Sequence, residues 1–238
     1  MAERSVAPLQ HTTLQVAIYR ELKHLLLTQR FDPTVRLNTN LLEQQLGVSR
    51  TPLKDALNRL AHEGFIEVRA RRGYFVRRPT IKDAVELYDL RRLHEVYAVE
   101  RAISIADPTT FQTLREILEQ QRPLAVDDPS DEEYERFTEL DRELHRAIVR
   151  AAGNRRLEQI YDQLDGHIQM ARVYYLTART TMPETFREHE AIVTAIEARD
   201  VREATRCLVA HIERFRHMVL HSLGDPAGDG TGDAEREG

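Results

Sequence analysis

Residues 41–60, LLEQQLGVSRTPLKDALNRL, read as two short helices joined by a tight turn at Gly47. Leu42 and Leu46 stand four apart on the first, and Leu53, Leu57 and Leu60 form an i, i+4, i+7 stripe on the second. Asn40 followed by Glu43 reads as a capping box that starts the first helix. Thr51 before Pro52 can cap the second with proline at its first position, and Ser49 is the rival cap. Gly47 supplies the positive φ of a sharp turn, and Val48 fills the angle between the helices. Ser49, Arg50, Thr51 and Lys54 face outward at the start of the second helix. Two cations and two hydroxyls there suit phosphates and base edges. The pattern is a helix-turn-helix, for which a solvated helical hairpin is the ordinary alternative.

The next residues favour DNA. Ile66 to Arg69 alternates like a strand, Arg71-Arg72-Gly73 turns, and Tyr74 to Arg77 resumes the strand. A hairpin tipped with two arginines and a glycine, directly after the second helix, is a wing. Gly73 would let the backbone approach a phosphate or the minor-groove floor, and Arg71 and Arg72 suit that groove's negative potential.

Working outward, residues 1–12 read as a flexible arm and Leu14 to Gln29 as an amphipathic helix with Ile18, Leu22 and Leu25 on one stripe. Phe31 to Thr34 is a turn, and Val35-Arg36-Leu37 an extended piece able to pair with the wing. Residues 13–78 form the winged helix-turn-helix domain and residues 79–82 a linker. Thr80 with Asp83 starts a new helix. From there the chain is helical, at about 80–106, 108–122, 130–152, 154–178, 183–199 and 201–222. Ser130 with Glu133 is a further capping box. Short connections between six helices predict an antiparallel bundle over residues 83–222. Residues 223–238, rich in Gly and Asp, read as a disordered tail. The predicted fold is mainly α, a winged helix-turn-helix plus an antiparallel six-helix bundle.

Charge follows the same division. Residues 1–79 hold 13 Lys and Arg against 7 Asp and Glu, which leaves 21 against 32 for residues 80–238 from totals of 34 and 39. The front is basic and suits a polyanion; the rear is acidic. No apolar run approaches the roughly 20 residues of a membrane span. The single Cys207 cannot form an internal disulfide, which fits a reducing cytoplasm.

The bundle carries a second constellation. Asp141 and His145, at i and i+4, share one face of their helix. His189 lies in line with Phe186 and Val193, and His211 between Leu208 and Phe215, both on apolar faces. Three inward histidines and a carboxylate can close around one divalent metal such as Zn, Ni, Mn or Fe(II). Three unrelated core histidines are the plainer alternative.

These residues resemble a known family. LLEQQLGVSRTPLKDALNRLAHEGFIEVRARRGYFV follows the winged-helix signature of the GntR superfamily of bacterial regulators. The rear is similar to the FadR-type effector domain called FCD. It is carried by Asp141 with His145, the Ala151-Ala152-Gly153-Asn154 turn, Glu188-His189-Glu190 and His211. The resemblance implies a divalent metal on Asp141, His145, His189 and His211, with a small organic acid beside it. Asn40 stands where some relatives carry arginine and joins the DNA-facing set. Lys54 replaces their arginine and lacks its bidentate fork to guanine. Arg91 and Glu95 fit the family's first bundle helix, whereas His94 replaces its usual leucine.

A buried carboxylate needs a cationic partner. Arg172 follows Leu164 and Ile168 onto an apolar face, and Arg91 follows Leu87 by four; either could grip an effector carboxylate, with His94 and Tyr175 reading its hydroxyls. A structural ion pair with Glu95 is the alternative for Arg91, and a snorkelling rim position for Arg172. Together the features point to a cytoplasmic, homodimeric transcription factor, a repressor rather than an enzyme, that reads a palindromic operator under control of a small carboxylate. Two rival readings are a regulator whose metal is purely structural and a metal-dependent hydrolase, for which no general base stands out.

Overall fold

A computed structural model describes residues 11–28, 31–105, 108–175 and 181–221. The chain divides into two compact units between Pro79 and Thr80. The tail expected over 223–238 and residues 1–10 of the expected arm lie outside the described residues, as do the ends predicted for four helices, at 29, 106, 176–178 and 222.

The first unit contains α1 (His11–Thr28), α2 (Thr39–Leu46), α3 (Arg50–His62), β1 (Ile66–Arg69) and β2 (Gly73–Val76). Its core joins Ile18, Leu22 and Leu26 of α1 to Leu53, Ala56, Leu57 and Leu60 of α3, closed by Phe65 and Phe75. Leu26 takes the buried place expected of Leu25, because i+4 steps from Ile18 continue the stripe. The two strands pair antiparallel, Ile66 opposite Val76 and Arg69 opposite Gly73. Arg36 bridges to Phe75, and the Leu37 N–H donates to the Tyr74 carbonyl at 2.9 Å, so the segment before α2 joins the wing.

One helix start differs from the expectation, and the other takes the rival cap. Asn38, not Asn40, caps α2: its Oδ1 accepts the Leu41 N–H at 3.1 Å, and Asn40 already lies inside the helix. Ser49 takes the cap position of α3 without a side-chain capping bond, so Thr51 is helical and Pro52 falls at the third position. Gly47 turns the chain with φ 62°.

The second unit contains α4 (Ile81–Ile105), α5 (Pro108–Gln121), a 3-10 turn at Arg122–Leu124, α6 (Asp131–Ala151), α7 (Arg155–Tyr175), α8 (Met182–Glu197) and α9 (Val201–His221). Thr80 and Asp83 exchange hydrogen bonds of 2.8 and 3.0 Å at the head of α4, and Ser130 and Glu133 form the predicted box at the head of α6. Side-chain bonds fix helix directions. Arg142 reaches Asp165 while Arg146 reaches Asp162, and Arg115 reaches Glu197 while Arg122 reaches Glu190, so α6 runs antiparallel to α7 and α5 to α8. One pair runs the other way. Glu95 meets His145, and Arg101 Nε donates to the Ala152 carbonyl at 2.8 Å, so α4 and α6 lie parallel with a nearly constant offset along the chain. The architecture is a winged helix followed by a helical bundle, and no helix among the described residues is long and apolar enough to cross a membrane.

Candidate functional site

Two surfaces hold the residues singled out by the sequence. In the first unit, Ser49, Arg50, Thr51 and Lys54 are exposed at the head of α3, Asn40 is exposed on α2, and Arg71 and Arg72 at the wing tip. Arg50 and Lys54, one turn apart, line a cleft of about 170 Å³ with Arg36, Thr39, Gly73 and Tyr74. Asn40, Ser49, Thr51, Arg71 and Arg72 lie outside that cleft. Tyr74 Oη donates to Asn58 Oδ1 at 2.8 Å and ties the wing to α3.

Gly73 also has a job inside the unit. Its φ is 102°, and a Cβ there would stand 2.8 Å from the Nε of Arg36. The space left by the missing side chain is taken by an arginine of the same unit. Arg36 was missed as a member of this surface; its place in the extended piece paired with the wing was the available signal.

In the second unit Asp141, His145, His189 and His211 are all buried, and their ligand atoms lie within 4.8 Å of one another. Burial is nearly complete, with 1%, 1%, 0% and 0% of each residue exposed. Each ring is held through its Nδ1. His145 faces Glu95 Oε2 at 2.7 Å, His189 faces Gln121 Oε1 at 2.8 Å, and His211 faces Glu188 Oε2 at 2.8 Å. All three partners are acceptors, so Nδ1 donates and each Nε2 is left with a lone pair. None of the three Nε2 atoms has a hydrogen-bond partner, and neither has Asp141 Oδ1. Four unpartnered acceptors aimed at one another in a dry interior are costly unless a cation joins them.

Electrostatics fits that reading. Burial drives the His189 and His211 imidazoles well below their ordinary range, keeping them neutral and able to ligate. Burial opposes the charge of Asp141, but Arg172, together with His145, His189 and Arg91, more than offsets it and holds the carboxyl below its usual range. Glu95 is likewise kept ionised against burial, by Arg91 first and then His145.

All six helices of the bundle contribute: Glu95 from α4, Gln121 from α5, Asp141 and His145 from α6, Arg172 from α7, Glu188 and His189 from α8, His211 from α9. Arg91 and Arg172 are both brought to the centre, but each already has a partner. Arg91 Nε donates to Glu95 Oε1 at 2.7 Å, and Arg172 Nη1 donates to Asp141 Oδ2. Tyr175 is buried near the end of α7. His94 is not brought in; it is partly exposed and its Nδ1 faces the Leu90 carbonyl of its own helix at 2.6 Å. The sequence reading missed Gln121 and Glu188 as orienting groups. Gln121 continues the Leu114, Ile117, Leu118 core stripe of α5, and a polar residue on such a stripe was the signal.

Residues 14–76 match the family profile described as bacterial regulatory proteins, gntR family, and residues 86–214 match the FCD domain. The chain is 31% identical over 193 residues to the Nta operon transcriptional regulator of Aminobacter aminovorans, covering 81% of this chain and 88% of that protein. It is 27% identical to the gluconate operon transcriptional repressor of Bacillus subtilis, covering 78% and 76%. The solved structure of Escherichia coli McbR/YncC is similar with a TM-score of 0.76 at 23% identity, over 88% of this chain and 98% of that one.

Proposed function

The chain belongs to the gntR family of bacterial regulatory proteins and carries an FCD domain, and from that premise we propose that it is a metal-dependent, carboxylate-responsive repressor. It is a DNA-binding transcriptional regulator, and its domains are those of regulators rather than enzymes. The finer reading rests on one observation. Three Nε2 lone pairs and a carboxylate oxygen, all buried and unpartnered, converge within 4.8 Å. Asp141, His145, His189 and His211 would hold a divalent ion, and three imidazoles with one carboxylate suit Zn, Ni or Mn. Such an ion supplies a Lewis-acidic position for a ligand oxygen. The repressor assignment is supported by the gluconate operon repressor, whose operon is named for a carboxylate.

At the operator, Arg50 and Lys54 would enter the major groove with Ser49 and Thr51, flanked by Asn40, while Arg71, Arg72 and Gly73 approach the backbone from the wing. A palindrome needs a second copy of the chain. The face for it is α4, where Leu90, Leu93 and Tyr97 are 45%, 67% and 43% exposed. An antiparallel copy that sets Leu90 against Tyr97 also sets Glu86 against Arg101, opposite charges in register. The protein would act in the cytoplasm, where the operator is.

The pairing of Arg91 and Arg172 within the bundle favours a second reading, a metal that is structural only. One experiment separates the two. Metal-loaded protein is titrated onto its operator with and without small carboxylic and sugar acids, followed by fluorescence anisotropy. Release by an acid, lost when chelator removes the metal, supports the effector reading. Operator affinity indifferent to every acid supports the structural one.

A further inference from the structure

The cleft between the head of α3 and the wing is lined by cations that the unit leaves free. Arg36, Arg50 and Lys54 are all exposed there, and none of their side chains has a hydrogen-bond or ion-pair partner among the described residues. Other cations of the unit are engaged. Lys23 and Arg59 both pair with Glu63, while Arg69 pairs with Glu67 and lies over the Phe75 ring at 4.0 Å. Acid is at hand in the cleft as well. Glu43 lines it, yet no ion pair joins that carboxylate to any of the three cations, and its Oε1 is shut off from solvent without a partner. Three cations against one carboxylate leave the cleft positive.

Arg36 comes to this cleft through its backbone. It belongs to the extended piece before α2, which bridges to Phe75 and whose Leu37 N–H donates to the Tyr74 carbonyl at 2.9 Å. Its Nε lies over Gly73, 2.8 Å from where a Cβ would stand, so the side chain crosses the wing at the residue that has none. The wing is in turn tied to α3 by the bond from Tyr74 to Asn58. The Arg36 backbone is therefore held between the two elements that meet DNA, and its side chain shares their cleft with Arg50 and Lys54. A helix in the major groove and a hairpin at the groove's rim are separated by the sugar–phosphate strand that bounds the groove. A guanidinium between them faces that strand rather than a base edge. Planar, always charged and carrying five N–H donors, it can fork onto two oxygens of one phosphate and still serve the Glu43 oxygen.

We propose that Arg36 is a further DNA contact of this regulator, a clamp on the backbone phosphate that passes between α3 and the wing, seated on Gly73. This rests on the placement of α3 in the major groove given above, and it adds a residue outside both the recognition helix and the wing tip. The contact is independent of sequence, because a phosphate carries no base identity. Its effect is on register: it sets where the wing stands on the duplex relative to α3.

The test uses the full-length protein and two short duplexes, one of random sequence and one selected by wild type from a random pool. Fluorescence anisotropy is followed against salt for wild type, Arg36→Gln, Arg36→Lys, Arg50→Ala and Arg20→Gln, the last removing an exposed charge from α1. Arg36→Gln should lower the slope of log affinity against log salt by about 0.9 per protomer, which is about eightfold in affinity at about 0.1 M salt if the two lines meet near 1 M. The loss should be equal on both duplexes, so that the preference between them is unchanged. Arg36→Lys keeps the charge and should keep most of the slope, and Arg20→Gln should keep all of it. A wild-type slope in Arg36→Gln overturns the proposal, and a lowered melting temperature beside it would make Arg36 a brace for the wing only. A loss confined to the selected duplex would mean base reading and overturns it too, as does an equal fall in slope for Arg20→Gln. If Arg50→Ala binds both duplexes as wild type does, the placement of α3 falls and this inference with it.

Discussion

Glu95 Oε2 accepts the Nδ1 proton of His145 at 2.7 Å, while its other oxygen takes both the Arg91 guanidinium at 2.7 Å and the Tyr161 phenol at 2.5 Å. One carboxylate thus links α4, α6 and α7 beside the Asp141–histidine cluster. Replacing Glu95 by Gln leaves the Arg91 charge buried without its counterion, a loss of about 3–5 kcal/mol. Calorimetry of the chelator-treated protein should show a melting temperature lower by roughly 10 °C, at about 2–4 °C per kcal/mol. The weaker acceptor should also cut metal affinity about 10- to 100-fold. An unchanged melting temperature would mean that Arg91 finds other company.

His189→Ala and His211→Ala each remove one of three converging lone pairs. Both should lower metal content per protomer, and chelator should lower the melting temperature of wild type far more than that of either variant, because metal binding is linked to folding. Mass spectrometry of dialysed protein reads the first effect and differential scanning the second. Equal metal content in all three proteins would remove the centre from the account.

Arg172→Met separates two roles. A guanidinium reserved for an effector could be lost without touching the metal. Here it donates to Asp141, one of the four proposed ligands, so the variant should bind metal about tenfold or more weakly even with no acid present. A competition titration against a chromophoric chelator measures this. Wild-type metal affinity in the variant would show that Arg172 serves only the acid.

At the DNA, Arg50→Ala should cost about 1–3 kcal/mol per protomer and relax sequence preference, whereas Arg72→Ala should weaken binding to all sequences and lower the salt slope by about 1. Gly73→Ala introduces a methyl at φ 102°, 2.8 Å from the Arg36 Nε. A flexible arginine can move aside but the backbone strain stays, so the unit should lose about 1–3 kcal/mol. Adding Arg36→Ala should recover only the steric part, and anisotropy should show that the double variant still binds operator poorly.

Leu93→Glu places a charge in the middle of the Leu90, Leu93, Tyr97 face of α4, where the native side chain is 67% exposed. The lone chain loses almost nothing. Analytical ultracentrifugation should show dimer giving way to monomer, with operator affinity falling together with it. A variant that remains dimeric would move the interface elsewhere.

The helices were legible because their interruptions are chemical. Thr80 with Asp83, Ser130 with Glu133, and Gly47 each mark a boundary that the structure keeps. The clustering of Asp141 and His145 was legible too, since an aspartate and a histidine four apart must share a helix face. Asn40 shows where such reading stops. Two asparagines near the head of α2 carry the same capping group, and only the path of the preceding extended segment selects Asn38. The orienting shell was harder still. Gln121 and His189 are 68 residues apart, and no local pattern says that the ring will donate a hydrogen bond to that amide oxygen. Arg91 and Arg172 illustrate the same difficulty: register shows that they face inward, not whom they meet.

The reciprocal bonds between Thr80 and Asp83 have a mechanical consequence for α4. They fasten the helix from its first turn, so about 12 Å of continuous helix lies between Thr80 and Tyr88. The outward Leu93 and the inward Arg91 ride on the same shaft. A twist of that shaft by a few degrees would be felt at its inner and its outer face in a single motion, and the 25-residue rod would need no hinge of its own to carry it.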